Sequence, residues 1–456
     1  MRILIANLVA RTARTASRLT KKGGGTTLPG LLAEKIAPNI ITSMSTKLQH
    51  GIILITGTNG KTTTAKMLAA ILEASGLKVI YNSSGSNLSR GIASFLSKNS
   101  NLLGTKIKGD IAIFEIDEAT MPEITKKVSP KLIVVTNLFR DQLDRYGEID
   151  KTAAIIGSAL KASPESTLLL NGDDPLVSNL QRYNQKVRFF GINDQIETKS
   201  TGAIDSKNCL QCGTELTYEN RYFGHLGIYK CSNCGFKRPK LDYQLSDLRL
   251  SVEGSKARFV DSKNNETQLE IQLSGLYNLY NALAASSIAS ELGIDISIIQ
   301  KSLKSVSAAF GRMETIKVDN KNISLLLVKN PTGFTQVIET LCYDNKPKHL
   351  FLLLNDKFAD GTDVSWIWDA ELELIKDFAS DVVVSGIRAE DMILRLKYAG
   401  FSLKDISIEK DMDKALGMAL ANIREGETLY VLPTYTAMLE LRKILYSRGL
   451  VKGLVE

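Results

Sequence analysis

From residue 52 onward the chain alternates short apolar runs with longer stretches in which apolar residues recur every three or four positions. The runs IILIT (52–56), KVIYN (78–82), IAIFEID (111–117), KLIVVTN (131–137) and STLLLNGDD (166–174) predict strands. TTAKMLAAILEASG, ending at Gly76, predicts the first of the helices between them. Apolar strands alternating with helices predict a parallel sheet covered on both faces. The rhythm stops between 201 and 245, a polar stretch with Gly and Cys and no helical period. LRLSVEG, KARFVD and TQLEIQLSG follow and predict antiparallel strands, and a helix is expected through Asn281–Leu292. From 323, ISLLLVKN, HLFLLLND, DVVVSG and TLYVLPTY restart the strand–helix pattern as a second, smaller Rossmann-like domain.

Ahead of this pattern, Ile5, Leu8, Val9, Ala13, Ala16 and Leu19 alternate with Arg11, Arg14, Arg18 and Lys21 or Lys22 at helical spacing. A second helix is expected near 31–48, after the loop TTLPG. The net charge of +8 is concentrated here, because eight basic residues face only Glu34 in the first 50 positions and account for +7 of it. The rest of the chain is nearly neutral, which removes the hint of a nucleic-acid partner. The basic helix either packs on the body with a solvated face or rests on an anionic membrane surface, and its low acid content also admits a transit peptide. No secretory signal is evident, since Arg11 and Arg14 follow the short apolar run and no cleavage site is seen. Ile271–Ser290 is uncharged but holds Gln272, Asn278, Asn281 and several serines, costly in lipid, and reads as a buried segment. At 456 residues the chain exceeds one ordinary core. We expect a basic helical segment (1–50), a central domain (51–315) with an insertion at 205–240, and a C-terminal domain (316–456).

LITGTNGKTTT (54–64) nearly fits the phosphate loop G-x-x-x-x-G-K-[ST], with Ile55 where the first glycine belongs. A strand enters, Gly57 and Gly60 let backbone amides turn inward, and Thr62–Thr64 open a helix whose N-terminus favours phosphate. Lys61 supplies a point charge for the β- and γ-phosphates and Thr62 a hydroxyl for Mg²⁺; a glycine at 55 is not needed if the turn starts later. FEIDEAT places Glu115, Asp117 and Glu118 at one strand end, and TNLFRDQLDRYGE places Asn137, Asp141 and Asp144 after another. Strand-end carboxylates beside such a loop are hard oxygen ligands suited to Mg²⁺.

These segments, with GLYNLYNALAA (275–285) and GRMET (311–315), resemble in order the signature of the Mur ligase and folylpolyglutamate synthase superfamily. The resemblance implies a Mur-ligase-type central domain that uses ATP and Mg²⁺ to turn a carboxylate into an acyl phosphate, which an amine then attacks. It implies a nucleotide cradle of Gly57, Thr58, Asn59, Gly60, Lys61, Thr62 and Thr63, with Lys61 on the γ-phosphate. It also implies Mg²⁺ on Thr62 and Glu115, Asn281 on adenine and Arg312 on phosphate. The chain departs from the pattern at Gln142, where the family has His, at Tyr277, and at Leu326 and Lys329, which replace an aspartate and a histidine. Gln142 leaves open whether one or two Mg²⁺ ions bind. The loop lies too near the start for the nucleotide-sugar domain of several Mur ligases.

Cys209-x-x-Cys212 and Cys231-x-x-Cys234, 18 residues apart and each followed by glycine, form a zinc-ribbon pattern. Four thiolates would close a tetrahedral site with no position for substrate, so Zn²⁺ here is structural; two disulfides or a redox pair are the alternatives. Cysteines used this way suit a reducing compartment. Cys342 reads as a buried apolar residue. With the ribbon and LNDKFADGTDVSWIWD (354–369), the chain resembles the MurT family over nearly its whole length. That resemblance implies a cytoplasmic ligase, with a peripheral place at the inner membrane face left open. It would amidate the α-carboxyl of D-glutamate in the lipid II stem peptide, in a heterodimer with a GatD-type glutaminase that supplies ammonia. It implies that Asp360 is important, and we expect Asp360 to orient ammonia or the acyl phosphate, against the plainer reading of a turn aspartate before Gly361. Trp366 and Trp368 are either core or partner-facing. An amino-acid-adding ligase of the folylpolyglutamate synthase type is the alternative. A nucleotide-regulated scaffold using the basic run GFKRPK (235–240) is another, and such runs are usually solvated surface.

Overall fold

The computed structural model describes residues 1–19, 27–82, 87–141, 149–196, 205–306 and 312–451, without the side chains of 16–19, 27 and 312. The N-terminal helix Arg2–Leu19 forms as its periodicity predicts. It turns Ala6, Asn7 and Ala10 inward, and Asn7 donates to the carbonyls of Asn101 and Leu102 at 3.2 and 3.1 Å. The basic side is not all solvated: Arg11 donates to Ser100 O at 2.5 Å and Arg14 to Ser94 O at 2.7 Å. The single helix expected at 31–48 is two helices, Thr27–Ile36 and Ile40–Ser45. Pro38 separates them, because proline lacks an N–H and pushes the residue before it out of the helical region.

The first sheet contains β1 (Ile52–Thr56), β2 (Val79–Tyr81), β3 (Ile111–Glu115), β4 (Leu132–Val135), β5 (Thr167–Asn171) and β6 (Val187–Ile192), all parallel. β9 (Tyr243–Leu250), β10 (Ser255–Val260) and β11 (Glu266–Ile271) extend it, in the order β11-β10-β9-β6-β5-β4-β1-β3-β2. β9 is parallel to β6, and β10 is antiparallel to both its neighbours, as the alternating runs predict. β1, β3 and β4, at the centre of the parallel part, are buried on both faces, whereas β9, β10 and β11 alternate buried with exposed positions. Ile53 and Ile55 of β1 join the helices Lys61–Ala74 and Leu276–Glu291, whereas Ile52 and Leu54 face the N-terminal helices. The helix expected at 281–292 begins at Leu276, so the uncharged stretch is a strand end followed by a buried helix.

β6 and β9 are sheet neighbours, so the chain between them leaves the sheet and returns one ladder position further on. That excursion carries a hairpin, β7 (Leu216–Phe223) with β8 (Leu226–Cys231), and the four ribbon cysteines. A second sheet follows: β12 (Arg312–Val318), β13 (Lys321–Leu326), β14 (Lys348–Leu353), β15 (Ala379–Ser385), β16 (Ile406–Ile408) and β17 (Thr428–Pro433). Its order is β12-β13-β17-β14-β15-β16, antiparallel only at β12–β13. β12 crosses the boundary expected at 315/316, and we place the division before Arg312. In the C-terminal half, Trp366 packs edge-on against Phe334 at 6.1 Å, while Trp368 is half exposed beside Tyr398 at 5.5 Å. Among the described residues no helix is long and apolar enough to cross a membrane.

Candidate active site

Ile55 pairs with Glu115 on one side and Val134 on the other, in the middle of the ladder, where a glycine would only weaken the strand. The turn therefore starts at Gly57. Gly57 and Gly60 have φ of +124° and +91°, and a Cβ at Gly60 would stand 2.1 Å from Asn281 Oδ1. Only glycine satisfies both the conformation and the close approach. The loop is held by the segment after β4: Asn59 N donates to Asn137 Oδ1 at 2.9 Å, and the Thr136 hydroxyl donates to Asn59 O at 2.8 Å. Thr58 and Phe139 exchange hydrogen bonds at 2.9 and 3.2 Å. The helix Lys61–Ala74 then begins at the residue that the motif assigns to phosphate.

The cations and acids meet as follows. Lys61 Nζ donates to Gly57 O at 2.5 Å and pairs with Glu118 at 3.1 Å. Burial works against the Lys61 charge, but Glu118, with Asp117 and Asp141 further off, holds its pKa above the ordinary lysine value. Burial likewise opposes the Glu118 charge, and Lys61 brings its pKa below the ordinary carboxylate value. Thr62 donates its hydroxyl to Glu115 Oε2 at 2.8 Å, and Glu115 N is fixed by Asn82 Oδ1 at 3.0 Å. A hydroxyl and a carboxylate side by side at a strand end are the hard oxygens that Mg²⁺ takes, and the glycine cradle with Lys61 fits a polyphosphate.

The second sheet closes over this loop. Asn330, which caps the helix Pro331–Leu341, donates to Asn59 Oδ1 at 3.1 Å, and Lys329 pairs with Asp141 at 2.7 Å. A cavity lies between the two halves, lined on one side by Asn59, Gly60 and Thr63 and elsewhere by Phe139, Phe223 and Tyr280. Asn281 lines it too, and Thr64 donates to its Oδ1 at 3.4 Å. Gly57, Thr58, Asn59, Gly60, Lys61, Thr62, Thr63, Glu115 and Asn281 are thus brought together. The Arg312 side chain, Gln142 and Asp144 lie outside the described residues. Asp360 is elsewhere, near the start of the helix Tyr435–Ser447, where Thr436 N donates to its Oδ1 at 2.7 Å and the Thr436 hydroxyl to its Oδ2. Burial is the main influence on its carboxyl and raises its pKa.

The four ribbon sulfurs lie within 4.8 Å of one another, with Cys209–Cys234 at 3.5 Å and Cys212–Cys231 at 3.4 Å. No disulfide joins them. A tetrahedral zinc with bonds of about 2.3 Å spaces its sulfurs by about 3.8 Å, so the donor set fits. Gly213 and Gly235 turn each knuckle at φ near +76° and +77°. In the basic run after them Arg238 is not solvated: it pairs with buried Asp173 at 3.0 Å.

Residues 55–217 match the Mur ligase middle domain and residues 327–438 the MurT ligase C-terminal family. The chain is 38% identical, over 95% of both sequences, to the lipid II isoglutaminyl synthase (glutamine-hydrolyzing) subunit MurT of Streptococcus pneumoniae. The chain belongs to the MurT family. The corresponding subunit of Staphylococcus aureus is 34% identical over 96% of both. The fold is that of the Mur ligases: a pseudomurein peptide ligase type C from Methanothermus fervidus superposes with a TM-score of 0.67, at 23% identity over 87% of this chain and 78% of that one. The MurF ligase of Thermotoga maritima, in complex with ADP, gives 0.62 at 17% identity over 92% and 85%.

In this MurT-type chain the departures from the wider pattern have geometric meaning. Lys329, at the histidine position, reaches across the cleft to Asp141 of the other half. Sequence reasoning named both residues without joining them, and it missed Asn330 and Phe223 altogether. Asn330 precedes Pro331, a capping signal that was available. Phe223 lies in the ribbon and carries no signal that would relate it to a loop at residue 57.

Proposed function

We propose that this chain is the synthase subunit of a lipid II isoglutaminyl synthase in peptidoglycan synthesis. It converts the D-glutamate α-carboxylate of the stem peptide to D-isoglutamine with ATP, taking ammonia from a GatD-type glutaminase subunit. The observation that carries the ligase chemistry is the glycine cradle with Lys61 at its rim and Thr62 bonded to Glu115. Lys61 and Arg312 neutralise charge as the γ-phosphoryl passes to the carboxylate oxygen, and ammonia then attacks the carbonyl carbon and phosphate leaves. Thr62 and Glu115 would hold Mg²⁺, which when bound draws charge from the phosphate oxygens. Asn281 borders the adenine position. Asp360, buried and held by Thr436, orients ammonia or the acyl phosphate. The four-cysteine ribbon takes Zn²⁺ as a structural metal.

The deciding experiment gives the purified chain ATP, Mg²⁺ and lipid II, with and without the glutaminase, and follows the stem peptide by mass spectrometry. Replacement of a hydroxyl by an amine, with glutamine effective only when the glutaminase is present, is expected. Addition of a whole amino acid would instead establish a ligase of the folylpolyglutamate synthase type, and no product with any donor would refute both.

A further inference from the structure

We propose that the hairpin of the four-cysteine ribbon forms a wall of the nucleotide pocket, with Phe223 touching the aromatic base, so that metal in the ribbon helps set nucleotide affinity. This rests on the nucleotide-binding reading of the loop at 57–62.

The cysteines clamp one end of the hairpin and Phe223 sits at the other. In the β7–β8 ladder Leu216 faces Cys231, and the pairing runs to Phe223 facing Leu226 at the tip. The tip is pressed against the segment after β4. Phe223 stacks on Phe139 with ring centres 5.8 Å apart and meets Tyr280 edge-on at 5.6 Å. A Cβ at Gly224 would lie 2.8 Å from the Phe139 ring, so the approach needs glycine there. His225, wholly buried, places its ring 4.8 Å from Phe139 and its Nε2 3.3 Å from Asp174 Oδ1.

Two routes tie the ribbon to the pocket, the first of them through the phosphate loop. Asp174 Oδ2 accepts from Leu138 N at 2.8 Å, and the next residue, Phe139, donates its N–H to Thr58 Oγ1 at 2.9 Å. On the other side Arg238, just past the second knuckle, pairs with Asp173, which also accepts the Tyr280 hydroxyl at 2.7 Å. Phe139, Phe223, Tyr277 and Tyr280 line the same cavity as Asn59 and Gly60. The loop end offers amides and a lysine, which suit phosphates, and the other end offers aromatic faces, which suit a flat base. Base–aromatic contacts of this kind change affinity by about tenfold.

The test is calorimetric binding of ADP and of inorganic tripolyphosphate, with Mg²⁺, to the full-length metal-loaded protein. Tripolyphosphate shares the phosphate end and lacks the base. Phe223→Leu is expected to weaken ADP by about tenfold and leave tripolyphosphate unchanged, with Phe223→Tyr, which keeps the ring, restoring ADP. Chelated protein, its metal content measured, and Cys234→Ser are expected to show the same ADP-selective loss. Phe223→Leu binding ADP like the wild type, or losing both ligands equally, would overturn the proposal. A wild-type protein that bound neither ligand would refute the nucleotide reading beneath it.

Discussion

Lys61 and Glu118 form a buried ion pair, 3.1 Å from Nζ to Oε1, at the first turn of the phosphate-loop helix. With only a tenth of each side chain exposed, water stabilises neither charge well. The pair holds the lysine charged. In the proposed reaction, phosphate binding would draw Nζ from Glu118 and Gly57 O toward the ligand.

Breaking one half of the pair should therefore cost more than breaking both. Lys61→Met leaves the Glu118 carboxylate buried and unpaired, which should cost about 3–5 kcal/mol of folding stability. Lys61→Met/Glu118→Gln should regain most of it while remaining inactive with ATP. Urea unfolding of the wild type, both single variants and the double variant measures the coupling. A double variant as unstable as Lys61→Met would show that the pair is not what holds the two charges.

Asp173 sets up a pH dependence. It is fully buried, and burial is the largest influence on its carboxyl, raising its pKa to about 6 against the opposing field of Arg238. A carboxyl whose folded pKa is raised favours folding when protonated. That contribution is present below the unfolded value and is lost as pH rises through about 6. Measured against Asp173→Asn, wild-type stability should improve by about 1.4 kcal/mol between about pH 7.5 and about pH 5. Denaturant titrations at the two pH values decide it, and a difference of zero or of opposite sign would refute the assignment.

The core strands were legible because a strand buried on both faces must be a continuous apolar run, as β1, β3 and β4 are. β6, in which Arg188 is exposed, and the short β16 gave no such run. The break at Pro38 was written in the chain, yet helical periodicity on either side hid it. The glycine turn at 57–60 was legible because its requirements are local: positive φ at two glycines and a helix that starts at Lys61. Lys329 with Asp141, and Phe223 with Tyr280, lie far apart in sequence, and nothing local to either residue marks its partner.

The N-terminal helix presents an apolar stripe beside its cations. Met1, Ile5 and Leu8 are exposed, and Leu102 and Leu103 are exposed on the loop that Asn7 holds against the same helix. Arg2, Lys98, Lys106 and Lys108 are exposed nearby, and Glu34 and Glu73 are the only acids before Asp110. We predict binding to vesicles containing anionic phospholipid and not to neutral ones, because apolar insertion and charge attraction act together. Ile5→Glu/Leu8→Glu should abolish flotation with the vesicles while leaving amidation of detergent-solubilised lipid II intact. Wild-type protein that stays unbound on anionic vesicles would refute this face.

Asp360 separates a scaffolding role from a chemical one. Its carboxylate accepts from Thr436 N and Oγ1 and so satisfies an orphan N–H at the start of the helix Tyr435–Ser447. Asn355, which donates to the same Thr436 hydroxyl at 3.1 Å, ties this point to the end of β14. Asp360→Ala should lose about 1–2 kcal/mol, the usual worth of such a cap. Asp360→Asn keeps an oxygen for Thr436 N and should fold close to wild type. If the carboxylate orients ammonia or the acyl phosphate, Asp360→Asn will still bind ATP but fail to amidate. Thermal unfolding, nucleotide binding and product formation on both variants give the answer. Full amidation by Asp360→Asn would reduce Asp360 to a helix cap, whereas stable, nucleotide-competent but inactive protein would assign it to the chemistry.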